Sequence, residues 1–178
     1  AQLLSVASEA GANDGADAIT GGADGDAIVG GLGSDTIDAG EGDNVVVGDD
    51  GEVDYSGGAL SAVASTDTAS GGDDQVTAGA GRDVVVGGFG SDSLSAGDSA
   101  NVLIGDSATL TFAGGVLTSA VSLDPADGGA DTLTGGADGD VIVGGVGSDT
   151  IAAGAGDNVV LGDDGELDFT GGVLVQAL

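Results

Sequence analysis

Apolar residues in this chain recur singly at nine-residue intervals, each inside a short run bounded by glycine. Ile19, Ile28, Ile37, Val46 and Tyr55 form one set. Val76, Val85, Leu94, Leu103 and Phe112 form a second, and Leu133, Ile142, Ile151, Val160 and Phe169 a third. Glycine is too abundant between them for ordinary helices, so each apolar residue is expected to centre a short strand, with a six-residue turn before the next. A strand and a turn make half a coil. About 18 residues then complete one coil of a flattened parallel solenoid whose neighbouring coils pair strand to strand.

The three sets are related by a longer period of 57 residues. It relates Gly30-Gly31 to Gly87-Gly88 and Gly144-Gly145, and Asp49 to Asp106 and Asp163. The expected organisation is one continuous solenoid over 1–178. Residues 1–11 end a preceding repeat, 12–68 and 69–125 are full repeats, and 126–178 is an incomplete third. Each copy carries five nonapeptides and a 12-residue apolar segment such as Gly57 to Thr68. Five half-coils would swap the two edges of the solenoid from copy to copy, so the 12-residue segment is read as a sixth. The fold class expected is therefore all-β, a parallel β-roll or β-solenoid, with three coils per 57-residue repeat and an axial advance of roughly 14 Å per copy at ~4.8 Å per coil. The apolar residues of all three sets, aromatics included, are expected to stack as ladders inside.

Charge changes this picture. The chain has 31 acidic residues and one basic residue, Arg82, for a net charge of −30. Self-repulsion on that scale opposes compaction, so a bound cation is expected to be part of the fold. Nucleic acid is not an expected partner, because there is essentially no positive charge to displace counterions from phosphates. No stretch has the length of a membrane span, and the absence of cysteine removes disulfides and thiolate metal sites.

The nonapeptides fit Gly-Gly-x-Gly-x-Asp-x-U-x, with U a large apolar residue. Residues 30–38, Gly-Gly-Leu-Gly-Ser-Asp-Thr-Ile-Asp, match throughout, and Asp17, Asp26 and Asn44 hold the sixth place in close variants. Fifteen such slots run in register from 12 to 170. At these residues the chain resembles the RTX, or hemolysin-type, calcium-binding repeat family. The resemblance implies calcium, export from a Gram-negative bacterium by type I secretion, and folding outside the cell. The secretion signal expected of that family is not seen in this sequence, and the chain reads as a window from a longer array.

The residue chemistry is compatible. Glycine turns expose carbonyl oxygens that, with carboxylates, make the all-oxygen shell Ca²⁺ prefers, whereas Mg²⁺ demands tighter octahedral geometry. Turns on one edge lie two nonapeptides apart, which pairs Asp17 with Asp35, Asp74 with Asp92, and Asp131 with Asp149 as the principal candidate sites. On the other edge Asp26 pairs with Asn44, Asp83 with Asn101, and Asp140 with Asn158. There the neutral amide oxygen is expected to weaken binding. Where Val53, Leu110 and Leu167 replace the acid, the site is lost or altered, with Asp49, Asp106 and Asp163 as possible substitutes.

Two function classes follow. The first is a calcium-rigidified structural segment of a large extracellular adhesin, filament or surface-layer protein, favoured by the near-identity of the copies. The alternative is an accessory secretion and folding module of an RTX toxin, protease or polysaccharide-modifying enzyme. Enzymatic activity is not expected, because the acids recur at structural turns and no histidine, lysine or cysteine is present. Tyr55, Phe112 and Phe169 are read as core residues in preference to a sugar-binding stripe. Binding to ice through a flat face is not favoured, for want of a regular threonine ladder. Self-association, end to end or side by side, is a hypothesis resting on the weakly charged stretches Leu3-Leu4-Ser5-Val6, Val116-Leu117-Thr118 and Val173-Leu174-Val175.

Overall fold

The computed structural model describes residues 4–8, 15–123 and 128–178. Leu3 and the expected repeat boundaries at 11/12 and 125/126 lie outside them. All regular structure among the described residues is β. The first strands are β1 (Ser5–Ala7), β2 (Ala18–Gly22), β3 (Ala27–Val29), β4 (Thr36–Gly40), β5 (Val45–Val47), β6 (Gly51–Ser56) and β7 (Ala59–Ser65). The next copy supplies β8 (Gln75–Thr77), β9 (Val84–Gly88), β10 (Ser93–Ser95), β11 (Val102–Asp106), β12 (Ala108–Ala113) and β13 (Val116–Ser122). The last supplies β14 (Thr132–Gly136), β15 (Val141–Val143), β16 (Thr150–Gly154), β17 (Val159–Leu161), β18 (Glu166–Thr170) and β19 (Val173–Ala177).

The first four nonapeptides of each copy form the expected β-roll. Strands β2, β4, β8, β10, β14 and β16 make one six-stranded parallel sheet, and β3, β5, β9, β11, β15 and β17 make a second. The eighth-place residues align in the ladders expected of them: Ile19, Ile37, Val76, Leu94, Leu133 and Ile151 in the first sheet, and Ile28, Val46, Val85, Leu103, Ile142 and Val160 in the second. The two ladders pack on each other as one core.

The rest of each copy departs from the expectation of three coils. The fifth nonapeptide and the 12-residue segment fold as an antiparallel hairpin, β6–β7, β12–β13 and β18–β19, in a third, seven-stranded sheet. A copy thus adds two coils to the roll, an advance of roughly 9.6 Å at ~4.8 Å per coil. The cause is local. Gly57-Gly58, Gly114-Gly115 and Gly171-Gly172 all have positive φ at both residues, which closes a tight hairpin whose twist suits its two strands. Tyr55, Phe112 and Phe169 therefore sit in the hairpins and not in the ladders of the roll.

The antiparallel sheet covers the second parallel sheet. Val45, Val47, Val84, Val86, Ile104 and Val143 pack against Val53, Val63, Leu110 and Leu167, so the second sheet is buried on both faces and the molecule has three layers. Its strands read accordingly as apolar runs such as Val45-Val46-Val47, while the first sheet alternates, as in Thr36-Ile37-Asp38. β1 pairs with β6 through Ser5↔Asp54 and Val6↔Val53, the register in which β7 pairs with β12 one 57-residue period later. No helix among the described residues is long and apolar enough to cross a membrane.

Candidate metal centre

The sixth-place residues form two columns, one on each edge of the roll, because each ends the turn that leads into a strand. On the first edge the column runs Asp17, Asp35, Asp74, Asp92, Asp131, Asp149. Each backbone N–H donates to Oδ1 of the next aspartate, at 2.7, 2.8, 2.8, 2.7 and 3.0 Å in order. The chain thus joins each expected pair and also links the pairs across copies.

One carboxylate oxygen is thereby used and the other is not. Oδ2 of Asp35, Asp74, Asp92, Asp131 and Asp149 is buried with no hydrogen-bond partner. Each lies beside a glycine that opens a turn, in its own nonapeptide for Asp35, Asp92 and Asp149, and at Gly48 and Gly105, before the hairpin, for Asp74 and Asp131. A Cβ added at Gly87 would meet both Oδ2 of Asp92 and the carbonyl oxygen of Gly105 on the next coil, and Gly30, Gly48, Gly105 and Gly144 are placed alike. Every such turn therefore aims an orphaned carboxylate oxygen and a neighbouring coil's carbonyl at a cradle that a side chain would fill.

Burial makes these carboxylates poor anions on their own. It pushes Asp92 up to about 9, against the N–H bond from Asp74, with the charges of Asp74, Asp131 and Asp49 adding to the rise. Asp74 and Asp131 are pushed by burial to about 7, and Asp35 is raised for the same reason. No basic side chain relieves them: the one ion pair found among the described residues, Arg82 with Asp43 at 2.9 Å, lies in the open on the other edge. A cation must supply what the protein lacks. The donor set fits a hard oxygen-seeking ion such as Ca²⁺. No three carboxylates gather at one point among the described residues, so backbone carbonyls would make up most of the shell.

The second edge is built differently. Its column runs Asp26, Asn44, Asp83, Asn101, Asp140, Asn158, with the same N–H to Oδ1 ladder at 2.8–2.9 Å. Asp83 and Asp140 each leave a buried Oδ2 without a partner, and burial raises Asp83 to about 6. The asparagines leave none. Nδ2 of Asn44 donates to the carbonyls of Gly42 at 2.9 Å, Ala78 at 3.0 Å and Gly40 at 3.3 Å. Nδ2 of Asn101 donates to those of Ser99 at 2.7 Å and Gly97 at 3.1 Å. An amide thus satisfies the turn carbonyls that face inward. Sequence reasoning treated Asn as a weaker ligand and did not foresee this use of its NH₂ group.

Asp49 and Asp106 serve at the hairpin junctions. Asp49 is fully buried; Oδ1 accepts from Gly72 N–H at 3.0 Å and Oδ2 from Phe89 N–H. Asp106 accepts from Gly129 and Val146 in the same way. Each carboxylate ties the turn that re-enters the roll to the turn of the following coil. Burial raises Asp49 to about 8 and Asp106 to about 6. The neighbouring Asp50, also buried, keeps an unpartnered Oδ2.

Comparison with known proteins agrees with this geometry. A family model described as the RTX calcium-binding nonapeptide repeat matches residues 20–52, 68–103 and 126–160, more than half of the chain. The residues between the matches, 53–67 and 104–125, take in most of the first two hairpins, and most residues of the roll strands lie inside the matched segments. A search of curated proteins returned no match. With its parallel roll, its orphaned turn carboxylates and this match, the chain belongs to the RTX calcium-binding nonapeptide repeat family.

Proposed function

We propose that the chain is a calcium-rigidified structural segment of a large extracellular adhesin, filament or surface-layer protein. A calcium-binding structural role follows from the family, whose repeats occur typically in secreted proteins; the rest is our reading. The observation that carries it is the unbroken first-edge column, five buried Oδ2 atoms with no protein partner and no basic neighbour. Asp17, Asp35, Asp74, Asp92, Asp131 and Asp149, with Asp26, Asp83 and Asp140, supply the carboxylates, and the opening glycines of adjacent coils supply carbonyls. Asn44, Asn101 and Asn158 mark turns that rely less on ions. At low cytosolic calcium the acidic chain stays expanded. At extracellular millimolar calcium it closes into a roll, in keeping with the roughly 10⁻⁴–10⁻³ M affinities of extracellular modules.

Copies of one pattern stacked in register on one axis favour length and stiffness over recognition by any single copy. Exposed Leu4, Val173 and Val175 leave side-by-side association open to the same protein. Small-angle scattering tests the switch: the radius of gyration of the 178-residue chain should fall from about 45 Å in chelator to about 16 Å with calcium. Equal radii in both solutions would refute it.

A further inference from the structure

Calcium at the sixth-place columns leaves a further set of buried oxygens unexplained, at the points where the chain quits the roll for its hairpins. Those points read Gly48-Asp49-Asp50-Gly51 and Gly105-Asp106-Ser107-Ala108, one 57-residue period apart. Asp50 and Ser107 hold the third place of their nonapeptides, which in the other nonapeptides of this edge is filled by residues such as Leu32, Phe89 and Val146. Asp50 is 1% exposed and Ser107 0%. Oδ2 of Asp50 and Oγ of Ser107 are both without a hydrogen-bond partner. A buried polar atom left so calls for an ion or a water.

The junction backbone is fixed on the hairpin side. The carbonyl of Asp50 accepts from Thr66 N–H at 3.0 Å and that of Ser107 from Leu123 N–H at 2.8 Å, which ties the returning end of each hairpin to the junction. One residue on, Gly51 and Ala108 donate to Oγ of Ser8 and Ser65 at 3.0 and 3.2 Å. On the roll side the carboxylate of Asp50 faces the neighbouring coil, where a Cβ added at Gly31 would lie 3.9 Å from Oδ1. The two junctions are alike in backbone and differ in charge. At the first, Asp49 and Asp50 are both buried, and the N–H groups of Gly72 and Phe89 both go to Asp49. At the second, Asp106 receives the equivalent N–H groups of Gly129 and Val146, and its neighbour is a neutral hydroxyl. Arg82, the one basic residue, is engaged by Asp43 on the other edge. A buried carboxylate without a counter-charge is far more costly than a buried hydroxyl, so the first junction needs a cation and the second does not.

We propose that Asp50 anchors an additional calcium site at the first hairpin junction, one that the second junction lacks because Ser107 stands in its place. The inference rests on the calcium reading and adds to it a site outside the sixth-place columns. Asp50 supplies the carboxylate, and backbone carbonyls and water complete the roughly six to eight oxygens the ion takes. The adjacent carboxylate of Asp49 favours a divalent over a monovalent ion. A cation held there ties the antiparallel layer to the roll, so docking of the first hairpin depends on calcium in a way that docking of the second does not.

The copies themselves supply the variants. Asp50→Ser writes the second junction into the first, and Ser107→Asp does the reverse, so each new side chain is one that the fold already accommodates at that place. Equilibrium dialysis of the 178-residue chain against radioactive calcium counts the ions bound, and circular dichroism in calcium reports whether each variant is folded. The expected result is one ion fewer than the parent in Asp50→Ser and one more in Ser107→Asp. An unchanged count in folded Asp50→Ser overturns the proposal. If that variant does not fold, Ser107→Asp decides, and a count no higher than the parent's overturns the proposal. Calcium bound by none of the three chains would instead overturn the calcium reading itself, and this site with it.

Discussion

The backbone N–H of Asp35 donates to Oδ1 of Asp74 at 2.8 Å across 39 residues, and the N–H of Asp17 makes the same bond to Asp35 at 2.7 Å across 18. The roll is therefore continuous in space where it is interrupted in sequence. The hairpin is an excursion from one coil that returns the chain to the register it left. A long closed loop costs little more than a short one, and this loop recovers the cost through its own pairing and through the valines it covers.

Removing residues 51–71 tests that relation. The junction would read Gly48-Asp49-Asp50-Gly72-Asp73-Asp74, a normal turn with its sixth-place acid. The roll should still form with calcium. The faces of Val45, Val47, Val84 and Val86 would lose cover, so the shortened chain should associate, seen as a higher mass by light scattering. A monomer of unchanged stability would show that the third layer contributes nothing.

Asp92→Asn and Asp92→Ala should act in opposite directions in chelator. Asparagine keeps the acceptor for Asp74 and can turn its amide to the turn carbonyls, as Asn44 and Asn101 do, so metal-free folding should improve while the calcium stoichiometry falls. Alanine leaves the buried N–H of Asp74 unpaired, at about 1–3 kcal/mol. Denaturant melts in chelator and calorimetric titration separate the two.

Much of this was readable beforehand, and the part that was not has a definite cause. Ile37 and Val46 announced strands through the nine-residue period, and Asp35 announced its turn. The hairpin was misread because Tyr55 keeps the ninth-residue spacing and so imitates a further coil. Two signals pointed the other way: Gly57-Gly58 between Tyr55 and Leu60 has the form of a hairpin turn, and Val45-Val46-Val47 has no polar position to give to solvent. One of the three amide bonds of Asn44 reaches a carbonyl of Ala78, 34 residues away, which no local spacing reveals; the other two stay within its own turn, at Gly42 and Gly40.

Gly87→Ala should abolish binding at one turn. Its Cβ would enter the space between Oδ2 of Asp92 and the Gly105 carbonyl. Gly162→Ala, at the same place in its nonapeptide but with nothing within 4 Å, serves as the control. The expected pattern is a loss of ions and of calcium-induced stability in the first variant only, measured by calorimetry. Equal behaviour of the two would place the ion elsewhere.

The pH response of the calcium-free chain has a fixed sign. Burial raises Asp92 to about 9, Asp49 to about 8, and Asp74 and Asp131 to about 7 in the folded state, above the roughly 3.9 of an unfolded aspartate. Protonation thus favours the fold: the contribution is complete below about pH 4 and is lost as pH rises through the folded values. In chelator, β structure should be greatest near pH 4 and decline as pH rises, so that calcium is needed to hold the fold at neutral pH and above. With calcium, protons compete for the same oxygens, so affinity should fall as the solution is acidified.

Circular dichroism of the isolated chain during a calcium titration at neutral pH, repeated with magnesium, tests the central claim most directly. A cooperative coil-to-β transition with calcium and none with magnesium is the predicted result. Full strand signal persisting in chelator would mean that the aspartate columns fold unaided, and would contradict the account.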